Sequence, residues 1–418
     1  MRSIAFHVPV ILIIASNILS FMKFSGDLIY TLKFTFVTIH FLILLLYMIK
    51  QPVTITPVTK YLIAVFHCWT IVMCIGLTNS TTYTQTWDSL LSIGTYILLF
   101  FYSMILLPNY MRLHQIEYVS FVKVAYFTIV CCMALAVVLG LSDPKAFHLD
   151  PFSLRNRYLG FFRHPNFMGL YAFFGFAVSM LVYGMTKKKG YLLTVPLFAY
   201  LIYLSVSRTA LLCVVLLLAV YLVRKYVFRL LHWAIRTSVI SLCALLVIVI
   251  CAVQFVDVES LIAAADKLLS NRLTIWSNFL AANDTINEYI FGQGMVKSTV
   301  SRDNYYLVVL LNTGILGLIC FLIMAVSALY FLLKKYIRES SVSLEILLSI
   351  FIVLMFYSFT ESILFTLGNA VSFFLWCSIG IHLNRSLTAR RAKDPEVAQA
   401  VEPSTFQRVK LNRRPTFM

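Results

Sequence analysis

The stretch NYYLVVLLNTGILGLICFLIMAVSALYFLL, residues 304–333, carries no acidic or basic side chain and is followed at once by Lys334 and Lys335. A helix of that length rises ~45 Å, more than the ~30 Å hydrocarbon layer of a bilayer. Inside such a layer the chain must satisfy its own amides, which a helix does within one segment. Working outward, apolar runs of about 17 to 25 residues recur between Ile4 and Leu383. About twelve are present, near residues 6–22, 28–49, 61–77, 89–107, 118–141, 165–185, 190–206, 209–223, 237–256, 304–333, 344–363 and 366–383. The eighth is short, as a tilted or partly interfacial segment would be. With 61% apolar and only 12% charged residues, a soluble core wrapped in a polar surface is excluded. The expected fold class is all-α: a polytopic membrane protein with about 12 transmembrane helices in residues 1–383 and a basic tail, residues 384–418, of disordered composition.

Orientation follows from the basic loops, which remain in the cytoplasm. A cytoplasmic N-terminus puts Lys50, Lys60, Arg112, Lys187, Lys188, Lys189, Arg224, Lys225, Arg229, Lys334, Lys335, Arg338 and the tail on the inner side. The first segment lacks a small-residue cleavage site and reads as a retained span. The net charge of +17 is spread over these loops and the tail, where anionic membrane lipids account for it, so nucleic acid is not an expected partner. The nine cysteines lie in or beside apolar runs without metal-ligand spacing.

Two outer breaks are long, 142–164 and about 257–303. The second carries apolar residues at three- and four-residue steps (Leu269, Leu273, Trp276, Leu280), the pattern of amphipathic helices lying on a membrane, and is interrupted by a turn at Phe291-Gly292-Gln293-Gly294. This topology leaves Lys23, Lys33, Lys145, Arg155, Arg157, Arg163, Arg208, Lys267, Arg272, Lys297 and Arg302 outside, where basic residues are unusual. Guanidinium groups match phosphate oxygens two at a time and stay charged, so an arginine-rich outer face suits a lipid-bound diphosphate. Fixed cations also stabilise the charge that grows on a departing phosphate oxygen.

Several residues admit two readings. Arg208, between two apolar segments with almost no loop, either snorkels to the interface or binds phosphate. Arg272 belongs to the polar face of an interfacial helix or to the same clamp. Arg157 and Arg163 precede the span opened by Pro165, and His164 either caps that helix or orients a phosphate. Asp303 and Asn304 either cap the tenth span or, for Asp303 beside Arg302, take a proton from an attacking hydroxyl. Gly314 and Gly317 are expected to permit close helix packing. Glu361, near the outer end of a span, is costly there unless paired or wet, and is expected to anchor one of the arginines. No outer group of acids and histidines has the make-up of a metal site.

Taken together, Arg157-Tyr158-Leu159-Gly160-Phe161-Phe162-Arg163-His164-Pro165-Asn166, Ser207-Arg208-Thr209-Ala210, Asn271-Arg272 with Ile275-Trp276, Ile290-Phe291-Gly292-Gln293-Gly294, and Asn304 with Tyr306, Gly314 and Gly317 resemble the O-antigen ligase and polymerase superfamily. The likeness covers roughly residues 150–320. It implies a bundle of about a dozen spans with a large extracytoplasmic loop over the active cavity, in the bacterial cytoplasmic membrane. It also implies glycosyl transfer outside that membrane, from undecaprenyl-diphosphate-linked oligosaccharide, without a metal or other cofactor. In the ligase branch the position of Asp303 is usually histidine; Asp-Asn here looks like the Wzy-type polymerases that lengthen O-antigen, capsule or exopolysaccharide chains. By that resemblance Arg208 and Arg272 contact the diphosphate, with Arg157, Arg163 and Arg302 as further candidates. Asp303 would be the catalytic base, and His164, Asn166, Asn304 and Glu361 would support the site. Donor and acceptor glycolipids, a chain-length regulator and a flippase of the same pathway are the implied partners. A ligase or protein O-oligosaccharyltransferase is the nearest alternative, and a lipid-linked oligosaccharide flippase the alternative of another class.

Overall fold

A computed structural model describes residues 2–23, 27–79, 83–150, 155–236, 274, 285–294 and 304–384. The ninth apolar run (237–256), most of the 257–303 break with Arg272, Arg302 and Asp303, and the tail beyond Asn384 lie outside the described residues.

Apolar runs become helices where the flanking residues supply stops. Thr56 accepts the N–H of Thr59 and Pro57 opens the helix, so α3 starts there, whereas Lys187 ends α7 in a left-handed conformation. In chain order the elements are α1 (Arg2–Leu19), α2 (Asp27–Ile49), α3 (Pro57–Gly76), α4 (Tyr83–Phe101), α5 (Leu107–Leu113), α6 (Tyr118–Leu141), β1 (Phe147–Asp150) and β2 (Arg155–Tyr158). They continue as α7 (Pro165–Thr186), α8 (Thr194–Ser205), α9 (Arg208–Arg236), α10 (Ile286–Phe291), α11 (Tyr305–Glu339), α12 (Val342–Tyr357) and α13 (Ala370–Asn384). One widened turn, Tyr102–Leu106, joins α4 to α5.

The chain is mostly helical, and seven helices among the described residues are long and apolar enough to cross a membrane. Shorter apolar helices lie at Phe6–Leu19, Lys189–Ser205, Val342–Tyr357 and Ala370–Asn384. Every residue of α13 is buried, which makes it the central column: a helix apolar all round needs partners on all sides. Phe365 and Trp376 meet edge to face beside it, and Phe66 stacks on Phe100 at 4.1 Å. By contrast, α2 and α9 leave large apolar side chains such as Ile43, Leu46, Leu211 and Val215 exposed, as lipid-facing helices do.

Two expectations need correction. The run at 209–223 is not a short interfacial segment: α9 continues through Arg224 and Lys225 to Arg236. Arg224 is accommodated there by its ion pair with Glu345 of α12 and lies 4.4 Å from the ring of Tyr221. Nor is the 304–333 run one continuous helix, because Gly314 (φ 66°, ψ −173°) breaks α11. That backbone region is open essentially to glycine alone. The segment ending α10 fills the notch: Gln293 N–H donates to Leu311 O at 2.7 Å, and a Cβ on Gly314 would lie 2.2 Å from Ile290 O. Gly314 therefore shapes the backbone itself, beyond letting helices approach.

Candidate functional site

The ends of α1, α6, α8 and α12 meet the starts of α7, α9, α11 and α13 at one end of the bundle. There β1 and β2 form an antiparallel hairpin with His148 opposite Arg157. The chain leaving it is stitched down by backbone bonds: Phe161 N–H to Ala136 O (3.1 Å), Lys23 N–H to Phe161 O (2.9 Å) and Arg163 N–H to Phe21 O (3.0 Å). A rigid platform thus presents Arg157 through Asn166.

Arg157 is half-buried and held at two points. Its Nε–H donates to Ser205 O at 3.1 Å and its Nη2 to Asn166 Oδ1 at 2.7 Å. The amide of Asn166 in turn donates to Glu361 Oε1 at 3.0 Å. Glu361 therefore reaches the arginine through Asn166. A carboxylate behind the amide holds its oxygen toward the guanidinium, and hydrogen bonds involving ions are about twice as strong as neutral ones.

Ser205, the partner of Arg157, ends α8, and only Val206 and Ser207 separate it from Arg208. Val206 adopts φ 48°, a left-handed conformation that costs a β-branched residue roughly 1–3 kcal/mol. The strained turn starts α9 at once, with Ser207 Oγ accepting the N–H of Ala210. Arg208 is exposed and has no hydrogen-bond or ion-pair partner among the described residues. It occupies the positive end of the α9 dipole, and the first turn holds no acid, an unfavourable arrangement of ~0.3–1 kcal/mol per cation. An uncompensated local conflict of this kind is what an anion would resolve.

The remaining candidates divide. Asn304 is 3% exposed, and its Oδ1 accepts the N–H groups of Tyr306 and Leu307, so it is the cap of α11. His164 Nδ1 accepts Asn166 N–H at 3.2 Å and caps α7, the simpler of its two readings. Arg163 turns the other way, its Nε–H directed to Met22 O at 3.3 Å on the α1 side. The start of α11 is pinned to the link that carries Glu361: Tyr305 N–H donates to Ser358 O and its hydroxyl to Phe365 O, each at 2.8 Å. Asn79, which sequence reasoning missed, donates to Gly292 O at 2.7 Å and ties α10 to α3. Its signal was faint, a lone amide just past an apolar run.

Lys23 is no free cation, since it is ion-paired with Asp143 and donates to Lys145 O. That bond, with the Lys145 N–H, holds the Asp143 carboxyl below its ordinary range. A carboxyl depressed by folding adds stability above its unfolded pKa and loses it as the pH falls through the folded value. Melting curves of wild type and Asp143→Asn in detergent should therefore differ near neutral pH and converge as acidification carries the carboxyl through its depressed folded value. A gap unchanged at low pH would assign the effect to something other than the ion pair.

No known protein family matches the chain, and no protein of curated function and no solved structure is significantly similar to it.

Proposed function

We propose that this chain is a membrane glycosyltransferase of the polysaccharide-polymerase type, acting on undecaprenyl-diphosphate-linked glycans outside the bacterial cytoplasmic membrane. In this reading about twelve spans carry an outer loop over the site. Arg208 and Arg272 hold the diphosphate, with Arg157 beside them. Asp303 takes the proton of the acceptor hydroxyl as its oxygen bonds to the anomeric carbon. The carbon–oxygen bond to the diphosphate breaks, and undecaprenyl diphosphate leaves with the electron pair. Arg163, turned toward α1, and Arg302 would contribute at the rim, and Asn304, His164, Asn166 and Glu361 by holding backbone and guanidinium in place.

One observation carries the reading. Arg208, without a partner among the described residues at the start of α9, stands three residues from the carbonyl that anchors Arg157, itself aligned by Asn166 and Glu361. An arginine that spends its donors on no protein group is suited to an oxyanion ligand. Among the described residues, Arg157, Arg163 and Arg208 lie at one end of the bundle, which favours chemistry at a face over passage through the middle.

Reconstitution with a synthetic lipid-linked repeat unit tests it. Products should form a ladder of lengths, with and without chelator. Transfer to a different acceptor would reassign the chain to the ligase or oligosaccharyltransferase branch. Movement of the substrate between leaflets without any new glycosidic bond would make it a flippase.

A further inference from the structure

We propose that the cavity between the far ends of α9 and α11 binds the phosphate headgroup of an anionic phospholipid. The cavity, of about 400 Å³, is lined by His232, Arg236, Tyr330, Lys334, Ile337 and Arg338. Four of these six are basic or imidazole side chains and none is acidic. The acids closest along the chain are engaged elsewhere, Glu345 with Arg224 and Glu339 within 3.8 Å of Lys335. Arg236, Lys334 and Arg338 have no partner among the described residues. His232 lies flat against the ring of Tyr330, with 5.3 Å between centroids and 17° between planes, which gives the cavity a fixed wall.

Its depth follows from helix geometry alone. His232 is 24 residues beyond Arg208 along α9, about 36 Å, and Lys334 is 20 residues beyond Gly314 along α11, about 30 Å. The cavity therefore sits at the end of the bundle opposite the arginine site, at the level of headgroups if the helices span a bilayer whose hydrocarbon is ~30 Å thick. Basic pockets between helices at that level recognise phospholipid headgroups. A soluble phosphate and a lipid phosphate share this chemistry, but the flank of the cavity favours the lipid. Leu222, Tyr226, Leu230 and Trp233 are 76, 79, 65 and 61% exposed and form one stripe along α9 beside His232 and Arg236. Acyl chains would cover that stripe, whereas a free anion would leave it bare. The inference needs a membrane but does not rest on the glycosyltransferase reading.

Native mass spectrometry of the full-length protein tests it, with phosphatidylglycerol and phosphatidylcholine of matched chains as probes and glycerol phosphate as the soluble competitor. Wild type should retain phosphatidylglycerol about tenfold or more over phosphatidylcholine, from roughly one favourable increment per basic residue. Arg236→Gln/Lys334→Gln/Arg338→Gln should reduce that preference to within about twofold, while Lys187→Gln/Lys188→Gln/Lys189→Gln, removing the same charge from another loop, should keep it. If the triple variant does not fold, Lys334→Glu alone, at an exposed position, reads the same preference. Equal losses in both triple variants, or no preference in wild type, would overturn the site. Displacement of the lipid by equimolar glycerol phosphate would overturn the lipid assignment.

Discussion

Under the proposed polymerase function, Arg208→Ala is expected to lower polymer formation by about 10²-fold or more, the loss typical when one fixed donor to a developing oxyanion is removed. Single lipid-linked repeat units should remain assembled. The position makes a clean probe because the exposed guanidinium has no protein partner among the described residues to lose. Substitutions at such positions usually change stability by no more than about 0.5 kcal/mol. The melting temperature in detergent should therefore stay near that of wild type, or rise slightly as a cation leaves the positive end of α9. Arg208→Lys should recover only part of the activity, because an ammonium keeps the charge without the planar fork. Arg157→Ala is less informative, since it also strips contacts from Ser205 and Asn166 and would disturb the turn itself. A well-folded Arg208→Ala protein that builds chains of normal length would remove Arg208 from the site.

Gly314→Ala is expected to destabilise the protein by roughly 3 kcal/mol or more, from the sum of backbone strain and an unrelieved clash. The added methyl would lie 2.2 to 2.5 Å from Ile290 O, Ile290 C and Phe291 N, all backbone atoms that cannot rotate away. Either α11 straightens and expels the 290–294 segment, or the residue stays in a conformation L side chains rarely adopt. Gly317→Ala is crowded too, but without the positive φ: its methyl would meet both Oγ1 and Cβ of Thr313, one turn earlier in the same helix, and a rotamer change would move the Oγ1 but not the Cβ. Thermal unfolding in detergent, with limited proteolysis at 285–294, reads both variants. Equal melting temperatures for Gly314→Ala and wild type would show that the break in α11 is not held by this contact.

Much of the helical plan was legible because membrane-length apolar runs need no tertiary information to be recognised. The runs near 28–49, 118–141 and 165–185 correspond to α2, α6 and α7 within a few residues. Where α9 ends was not legible, since a run of Arg224, Lys225 and Arg229 looks like a loop until the carboxylate of Glu345 is seen beside it. Glycine 314 was visible as a residue, but its φ of 66° is dictated by a backbone segment more than 20 positions away.

The same division holds at the site. Composition and periodicity by themselves determined that this is a helical chain fit for a membrane, because hydropathy and charge are properties of each residue alone. Only the tertiary structure decided that Asn166 bridges Glu361 to Arg157 and that Arg208 has no partner among the described residues, whereas the caps made by Asn304 and His164 are local bonds to backbone two or three positions on. The bridge joins side chains up to 195 positions apart, and hydrogen bonds act over about 3 Å, so the packing of the helices sets whether it forms.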